Sequence, residues 1–228
     1  QVAALTLPSQ HVDGDFYDFF QQGVDCFDLV VGDVMGKGVA AALLGAALKS
    51  SFPRAFSQLL LSSAQKKLPE PEEIVLLVQR EVARRFISLG MFATLCYARL
   101  DVTQRHIILV DCGHPKTIHF QSRTGACHLL QGDNMPLGFS ACETYQQVSF
   151  ALAEGDLLVF YSDGLTEARN AAGDFFGVER VMEVIRQQHL LEPARLIEAI
   201  LEAVLAFAGL ETSADDLTCV VVRIEGGD

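Results

Sequence analysis

Short apolar runs rich in β-branched and aromatic residues recur along the chain, and most are bounded by Gly, Asp or Asn. Runs of this length and composition are typical of β-strands. They predict strands over residues 27–31, 92–100, 106–110, 117–121, 146–152, 156–161 and 217–224. The segment between the second and third of these runs spans only residues 101–105, which predicts a hairpin and therefore antiparallel pairing.

Helical patterns lie between the strand runs. Residues 39–51 are rich in Ala and Leu and stop before Pro53, a residue that is unfavourable inside a helix. Residues 71–87 begin with Pro followed by two acidic residues, and they show one apolar stripe. Two further helices are predicted over 178–188 and 193–208. Because the helices fall in blocks rather than alternating with strands, an α+β fold with largely antiparallel sheets is favoured over a doubly wound parallel one.

The composition narrows the classes of function. The chain has 228 residues and a formal net charge of −12, from 29 acidic residues against 17 Lys and Arg. The length suits one domain, and an acidic chain without a basic patch is not expected to bind nucleic acid. No apolar run reaches the ~20 residues that span a bilayer, and no signal peptide is recognised, so no membrane partner is expected for this fragment. The six Cys form no CxxC pair, which favours reduced thiols and a cytoplasmic protein.

The segment LVVGDVMGKG at residues 29–38 looks at first like a phosphate-binding loop. A P-loop needs four residues between its first Gly and the Gly-Lys pair, followed by a Ser or Thr that meets Mg²⁺. Here only three residues separate Gly32 from Gly36, and Gly38 occupies the hydroxyl position. Nucleotide binding by this loop is therefore excluded. The residue that stands out instead is Asp33, an acid at the end of an apolar strand.

Acidic residues recur at the ends of the predicted core strands. Asp33 and Asp163 each follow an apolar run, the pair Asp215-Asp216 precedes another, and a further acidic segment lies at 13–20. Any one of these acids alone is more typical of a turn or a helix cap. Together they favour a site for Mg²⁺ or Mn²⁺, because carboxylates suit hard cations and repel one another without a cation. Two such ions about 3.5–4 Å apart would bind a phosphoryl oxygen and activate a water molecule.

A series of short motifs occurs in a fixed order along the chain. They are DGDFYD, GDVMGKG, FATL, CGHP, PLG, YSDGLTEA and DDLT, at residues 13–18, 32–38, 92–95, 112–115, 136–138, 161–168 and 215–218. In sequence and order they resemble the motifs of the metal-dependent Ser/Thr protein phosphatases (PPM family), in the bacterial SpoIIE/RsbU-like branch. Each motif alone is weak, but together they are specific and cover nearly the whole chain.

The resemblance implies an αββα sandwich of two largely antiparallel sheets flanked by helices, with a dinuclear metal cleft at one edge. It also implies two Mn²⁺ or Mg²⁺ ions, and hydrolysis of phosphoserine or phosphothreonine by a metal-activated water without a phosphoenzyme. The ligands that it implies are Asp15, Asp33, Val34 through its backbone carbonyl, Asp163, Asp215 and Asp216. Asp33 would bridge the ions, and Asp15, Asp163 and Asp215 would complete the catalytic set. Asp216 would either hold a metal-bound water or replace Asp215 as a ligand.

Asp18 is a weaker candidate ligand. Three other residues near these motifs keep two interpretations each. Lys37 either meets the substrate phosphate or faces solvent, and His114 is more typical of a turn residue than of a catalytic acid. Asp13 replaces the first Gly of the family motif. Either Asp13 adopts the backbone conformation with positive φ that the Gly would have, or its side chain adds negative charge at the metals.

The leading interpretation is one phosphatase domain over residues 1–228, the C-terminal catalytic part of a longer sensor or response-regulator protein. The resemblance implies that its substrate is a phosphorylated STAS-domain anti-sigma-factor antagonist. A hypothesis on regulation is that an upstream domain moves the helix 39–51, at whose root Asp33 lies. The alternative is a catalytically inactive pseudo-phosphatase that binds a partner, which the complete ligand motifs disfavour. A nucleotide cyclase, suggested by DGDF at 13–16, leaves the motifs at 161–168 and 215–218 unexplained.

Overall fold

The structure, a computed structural model, describes residues 1–9, 14–63, 67–141, 144–209 and 215–226. Its elements in chain order are β1 (Val2–Leu7), β2 (Asp15–Gln21), β3 (Cys26–Val34), α1 (Val39–Ser62), α2 (Pro71–Leu89), β4 (Ala93–Asp101), β5 (His106–Cys112), β6 (Thr117–Gln121), β7 (Ala126–Leu130), β8 (Val148–Ala151), β9 (Leu157–Tyr161), α3 (Asp163–Glu167), α4 (Gly177–Gln188), α5 (Pro193–Ala208) and β10 (Leu217–Arg223). The chain divides into two compact units. The inserted unit contains residues 14–114 and 131–151, and the terminal unit contains the described residues of 1–13, 115–130 and 152–228.

The inserted unit is built on a five-stranded antiparallel sheet in the order β2-β3-β4-β5-β8. Alternate residues of its strands, such as Val30 and Leu95, are fully buried under α1 and α2. The two helices supply Leu48, Phe52 and Ile74 to the same core. The helices therefore cover one face of this sheet, and residues of the other parity lie on the opposite face.

The terminal unit is built on a second five-stranded sheet in the order β1-β10-β9-β6-β7, and all its neighbouring strands are antiparallel. Helices α4 and α5 pack on it. Val181 and Ile200 from these helices form a separate core with Val159 and Val221 from the sheet. The predicted α+β fold with two antiparallel sheets and flanking helices is thus confirmed. Among the described residues, no helix combines the length and the apolar character that crossing a membrane requires.

Every predicted strand and helix is present, and the ends differ by a few residues except at the end of the first helix. Three strands and one short helix were not predicted. The unpredicted strands β1, β2 and β7 lie at the edges of the two sheets. These strands are half-exposed or exposed along most of their length, with one buried residue in β2 and one in β7. The short helix α3 contains only the segment DGLTE and has too few residues for a helical period.

Helix α1 does not stop at residue 51 as predicted but continues to Ser62, with Pro53 inside it. A Pro in a helix interior costs about 3 kcal/mol, because it removes one N–H and its ring crowds the preceding turn. Phe52 and Ala55, on either side of Pro53, are 1% and 2% exposed in the core shared with α2. Burying one large apolar side chain stabilises by about 1.5–3 kcal/mol. Burial of Phe52 and Ala55, together with the partly buried Phe56 and Leu59 that pack on the same core, therefore offsets the local penalty.

Candidate metal centre

Asp15 and Asp33 face each other across two neighbouring strands of the inserted unit. Strands β2 and β3 pair antiparallel with Asp15 directly opposite Asp33, which lies inside β3 rather than after it. The adjacent pair is joined by a backbone hydrogen bond of 3.2 Å, in which Val34 N–H donates to Gly14 O. The Asp15–Asp33 pair is therefore a non-hydrogen-bonded pair, in which the Cα atoms are about 4.5 Å apart and the side chains come closest. Two carboxylates thus lie side by side and repel each other unless a cation neutralises them.

Gly14 brings two oxygen atoms into one cradle. A Cβ at this position would lie 2.5 Å from the Val34 carbonyl oxygen and 2.7 Å from Asp33 Oδ1. Only a residue without a side chain leaves both oxygens accessible. A carbonyl and a carboxylate that share such a space are ligands that a hard cation prefers. This close approach at Gly14 was missed from the sequence, although its place between two acids of a motif was a usable signal.

Asp163, Asp215 and Asp216 lie together in the terminal unit. Asp163 begins α3 directly after β9, and the Asp215-Asp216 pair directly precedes β10, which is the neighbour of β9. Ser162 joins the two segments, because its N–H donates to the Thr218 carbonyl at 3.0 Å and its hydroxyl donates to the Asp216 carbonyl at 3.2 Å. The acids of two separate motifs are thus held at the same end of a strand pair.

Gly164 allows these two segments to approach. A Cβ on Gly164 would lie 2.0 Å from the Asp216 carbonyl oxygen and 3.4 Å from Asp215 Cβ. The first distance is far below a van der Waals contact, so no side chain fits at this position. This close approach between distant segments was not evident from the sequence, where Gly164 is simply the residue after Asp163.

The two acids of the DDLT motif differ in their surroundings. Asp216 is buried, at 4% exposure, and its Oδ1 accepts a hydrogen bond from Ser9 N–H at 2.7 Å. Asp215 is exposed. Asp216 therefore has an anchoring contact with the chain segment that follows β1, and Asp215 is the more accessible carboxylate.

Burial raises the pKa of the Asp163 carboxyl, and the negative charges of Asp215 and Glu167 raise it further. Hydrogen bonds from backbone N–H groups at Asp163 and Gly164 oppose this rise only in part. An acid whose pKa is raised by burial and by a second acid is a candidate for a functional site. A bound cation would favour its charged form.

The donor atoms fit a hard cation, because all of them are carboxylate or carbonyl oxygens. They form two groups, with Asp15, Asp33 and Val34 in the inserted unit and Asp163, Asp215 and Asp216 in the terminal unit. Within the part of the chain that the structure describes, no three His, Cys, Asp or Glu side chains form a ready-made metal-binding group. The residues that the motifs predict as ligands are thus divided between the two units.

The remaining candidates are placed as follows. Asp18 lies on the opposite face of β2 from Asp15, because the two are three positions apart and side chains alternate along a strand. Its carboxylate lies 3.6 Å from Lys49 Nζ. Lys37 is exposed in the turn before α1. His114 is 5% exposed, and its Nδ1 lies 3.1 Å from Thr94 Oγ1. Asp13 lies outside the described residues, so its two interpretations stay open.

Comparisons with known proteins identify the family and the fold of the chain. Residues 24–225 match the family model described as Stage II sporulation protein E (SpoIIE). Phosphoserine phosphatase RsbU of Bacillus subtilis is 25% identical over 97% of this chain and 62% of its own length. The SiaA-PP2C domain of Pseudomonas aeruginosa superposes with a TM-score of 0.83 at 19% identity, over 98% of this chain and 86% of that one. RsbX in complex with magnesium superposes with a TM-score of 0.69 at 16% identity, over 99% and 95%.

This chain spans less than two thirds of the length of the curated relatives that it matches. The superpositions show that its fold is that of the PP2C-type phosphatases. The family model covers most of the chain, including every motif from GDVMGKG to DDLT. The chain therefore belongs to the SpoIIE family, as its motifs predicted.

Proposed function

We propose that this chain is the catalytic domain of a metal-dependent protein phosphatase that hydrolyses phosphoserine or phosphothreonine on a regulatory protein. The observation that supports it most strongly is the Asp15–Asp33 pair, in the register where side chains come closest. Like charges directly opposite each other destabilise a sheet, and a cation bound between them would remove that cost. RsbU is named a phosphoserine phosphatase, and RsbX is known in complex with magnesium. The proposal extends both properties to this chain.

Two Mn²⁺ or Mg²⁺ ions are the proposed cofactors. Their ligands would be Asp15, Asp33, the Val34 carbonyl, Asp163 and Asp215. Asp33 is the proposed bridging residue, since it has Asp15 on the neighbouring strand and shares the Gly14 cradle with Val34. Asp215 is preferred over Asp216 as a ligand because Asp216 is buried and already accepts Ser9 N–H. When bound, such ions neutralise phosphoryl oxygens and lower the pKa of water so that it becomes a nucleophile.

The protein's own residues would hold the site in place and set its charge. The carboxylates concentrate negative charge, so that a cation is favoured over an empty site. A bound cation would favour the carboxylate form of Asp163, because only that form is a ligand. Asp216 would fix the start of β10 through its contacts with Ser9 and Ser162. Lys37 stays a candidate for contact with the substrate phosphate.

The proposed substrate is a phosphorylated STAS-domain anti-sigma-factor antagonist, and an upstream regulatory domain in the full-length chain is the proposed controller. The support is the likeness to RsbU, together with the fact that the matched relatives are longer than this chain. No contact within the described residues identifies either partner, so both proposals depend on the family.

The test is hydrolysis of a phosphoserine peptide and of a phosphorylated STAS-domain protein, with Mn²⁺ and with EDTA. We expect activity that EDTA abolishes and that Asp33→Asn lowers by more than about a hundredfold. Asp18→Asn is the matched control, because Asp18 lies on the same strand as Asp15 but on the other face. Activity that persists in EDTA, or an equal loss in Asp18→Asn, would contradict the proposal. A folded protein that binds Mn²⁺ but hydrolyses neither substrate would favour the partner-binding alternative.

A further inference from the structure

A row of polar side chains crosses the inserted sheet at the candidate metal site. Asp15 is opposite Asp33 on β3, and Asp33 is in turn opposite Thr94 on β4. Residues directly opposite each other in a sheet point to the same face, so these three side chains lie in one line. Thr94 is the uncharged member of the row, and it is half-buried.

His114 extends this row by one more residue. Its imidazole Nδ1 lies 3.1 Å from Thr94 Oγ1, and the residue is only 5% exposed. It lies in the turn after β5, where Gly113 forms a bridge to Leu95 next to Thr94. His114 is therefore close to Asp33 through a single intervening side chain.

The backbone of His114 is held in a fixed position. Its N–H donates to Asp111 Oδ1 at 3.1 Å, and the other carboxylate oxygen of Asp111 accepts Gly132 N–H at 3.1 Å. Gly113 has a φ of +72°, and a Cβ there would lie 3.1 Å from Pro136 Cγ. The turn is thus attached to the loop that follows β7, and the imidazole has little freedom to leave Thr94.

The direction of the hydrogen bond between His114 and Thr94 decides what Thr94 can do. A Thr hydroxyl has one proton and two acceptor positions, and a neutral imidazole donates from only one of its two nitrogens. If Nδ1 is the acceptor, the Thr94 proton is used on His114. If Nδ1–H is the donor, Thr94 accepts from His114 and keeps its own proton for a neighbour in the row.

We propose that His114 is a positioning residue for the metal site, whose Nδ1–H donates to Thr94 and thereby directs the Thr94 proton toward Asp33. This inference rests on the proposed function, since it assigns Asp33 as a metal ligand. Residues that hydrogen-bond to a metal ligand fix its orientation, and their loss weakens metal binding by about 10- to 100-fold. His114 is thus neither a surface turn residue nor a catalytic acid, but the outer end of the support for Asp33.

The first test measures the tautomer of His114 directly. Long-range ¹H–¹⁵N NMR spectra of the ¹⁵N-histidine-labelled protein distinguish Nδ1–H from Nε2–H, and His114→Asn assigns the signal. We expect the Nδ1–H tautomer in the metal-free protein near neutral pH. The Nε2–H tautomer would overturn the proposal, because the Thr94 proton would then be donated to His114.

The second test measures Mn²⁺ binding to the metal-free protein, by calorimetry or by the EPR signal of free Mn²⁺. We expect Thr94→Val and His114→Ala each to weaken binding by about tenfold, with the double variant no weaker than either, because both changes break one chain of contacts. Thr94→Ser keeps the hydroxyl, and His114→Asn keeps a donor near the Nδ1 position, so both should bind within about threefold of the original protein.

The outcomes separate the two proposals. Wild-type affinity in Thr94→Val would refute the role of His114 and leave the metal site intact. A wild-type protein that does not bind Mn²⁺ would refute the proposed function itself. If His114→Ala fails to fold in EDTA, the comparison of Thr94→Val with Thr94→Ser still decides, because both substitutions nearly preserve the size of the side chain.

Discussion

Removing the charge of Asp33 should make the metal-free protein more stable. In Asp33→Asn the side chain keeps its shape, and its repulsion from Asp15 on the neighbouring strand disappears. Side chains in this register have Cβ atoms about 4.5–5.5 Å apart. With an effective dielectric constant between about 20 and 80, two unit charges at that separation repel by about 1–3 kcal/mol.

Both carboxylates are only half-buried, so solvent screens them and a gain near the lower end is expected. A change of about 1 kcal/mol shifts the melting temperature of a protein of this size by about 2–4 °C. We therefore expect Asp33→Asn to melt about 2–4 °C higher than the wild type in EDTA. In Mn²⁺ the order should reverse, because only the wild type gains stability from the bound ion.

The assay is thermal unfolding followed by circular dichroism, in EDTA and in Mn²⁺. Asp28→Asn is the matched control from the same strand. Asp28 is fully buried and accepts hydrogen bonds from Arg99 at 2.7 and 2.8 Å, from Gln22 at 2.9 Å and from Tyr97 at 2.5 Å. Removing its charge leaves the Arg99 guanidinium buried without a counter-ion, which costs about 3–5 kcal/mol. The two Asp→Asn changes should therefore shift stability in opposite directions.

The result that would refute this reasoning is a lower melting temperature for Asp33→Asn in EDTA. Asp33 would then be stabilised by its surroundings, as Asp28 is, and the Asp15–Asp33 pair would be a structural feature. Metal binding would then need support from another observation.

The pKa of Asp163 is raised in the folded, metal-free protein. Protonation of Asp163 therefore stabilises the fold at pH values below the usual range for Asp, and this stabilisation is lost as the pH rises through the raised pKa. Asp163→Asn should therefore have a higher melting temperature than the wild type in EDTA at pH 7, and the difference should vanish on acidification. A difference in melting temperature that does not change with pH would contradict this cause. Gly14→Ala should abolish Mn²⁺ binding in calorimetry, because the added Cβ would lie 2.5 Å from the Val34 carbonyl oxygen. Retained binding would show that the cradle at Gly14 is not used by the metal. Gly164→Ala should lower the free energy of unfolding by about 1–3 kcal/mol or more, because the added Cβ would lie 2.0 Å from the Asp216 carbonyl oxygen. The measurement is the urea midpoint of unfolding, and an unchanged midpoint would show that the DDLT segment moves freely.

Local sequence patterns predicted the elements whose ends carry recognisable capping residues. Helix α2 has Pro71 in its first turn, a capping box between Glu70 and Glu73, and Gly90 in the left-handed conformation after its end. Such signals act within a few residues, so they can be recognised without the fold. The continuation of α1 through Pro53 could not be predicted in this way, because it depends on packing against a helix that comes later in the chain.

The candidate site shows the same limit. The motifs identified Asp15, Asp33 and Asp163, but they could not show that Asp15 and Asp33 share the closest register of a strand pair. That register depends on where β2 begins, and β2 was not predicted. Gly14 and Gly164 were missed because each lies close to a segment that is far from it in the sequence, and only the fold brings the two together.

The order of strands in the terminal sheet determines when that sheet can be completed during synthesis. Strand β10 lies between β1 and β9, and the hydroxyls of Thr6 and Thr218, which lie 212 residues apart in the chain, come within 3.0 Å of each other. The inserted sheet needs nothing beyond Ala151, so it can form on the ribosome while the terminal sheet still lacks the strand that joins β1 to β9. Contacts of such long sequence separation form slowly. A chain cut short before Leu217 would keep β1 and β9 as unpaired edges, and it would be expected to aggregate rather than to persist as a half-active protein.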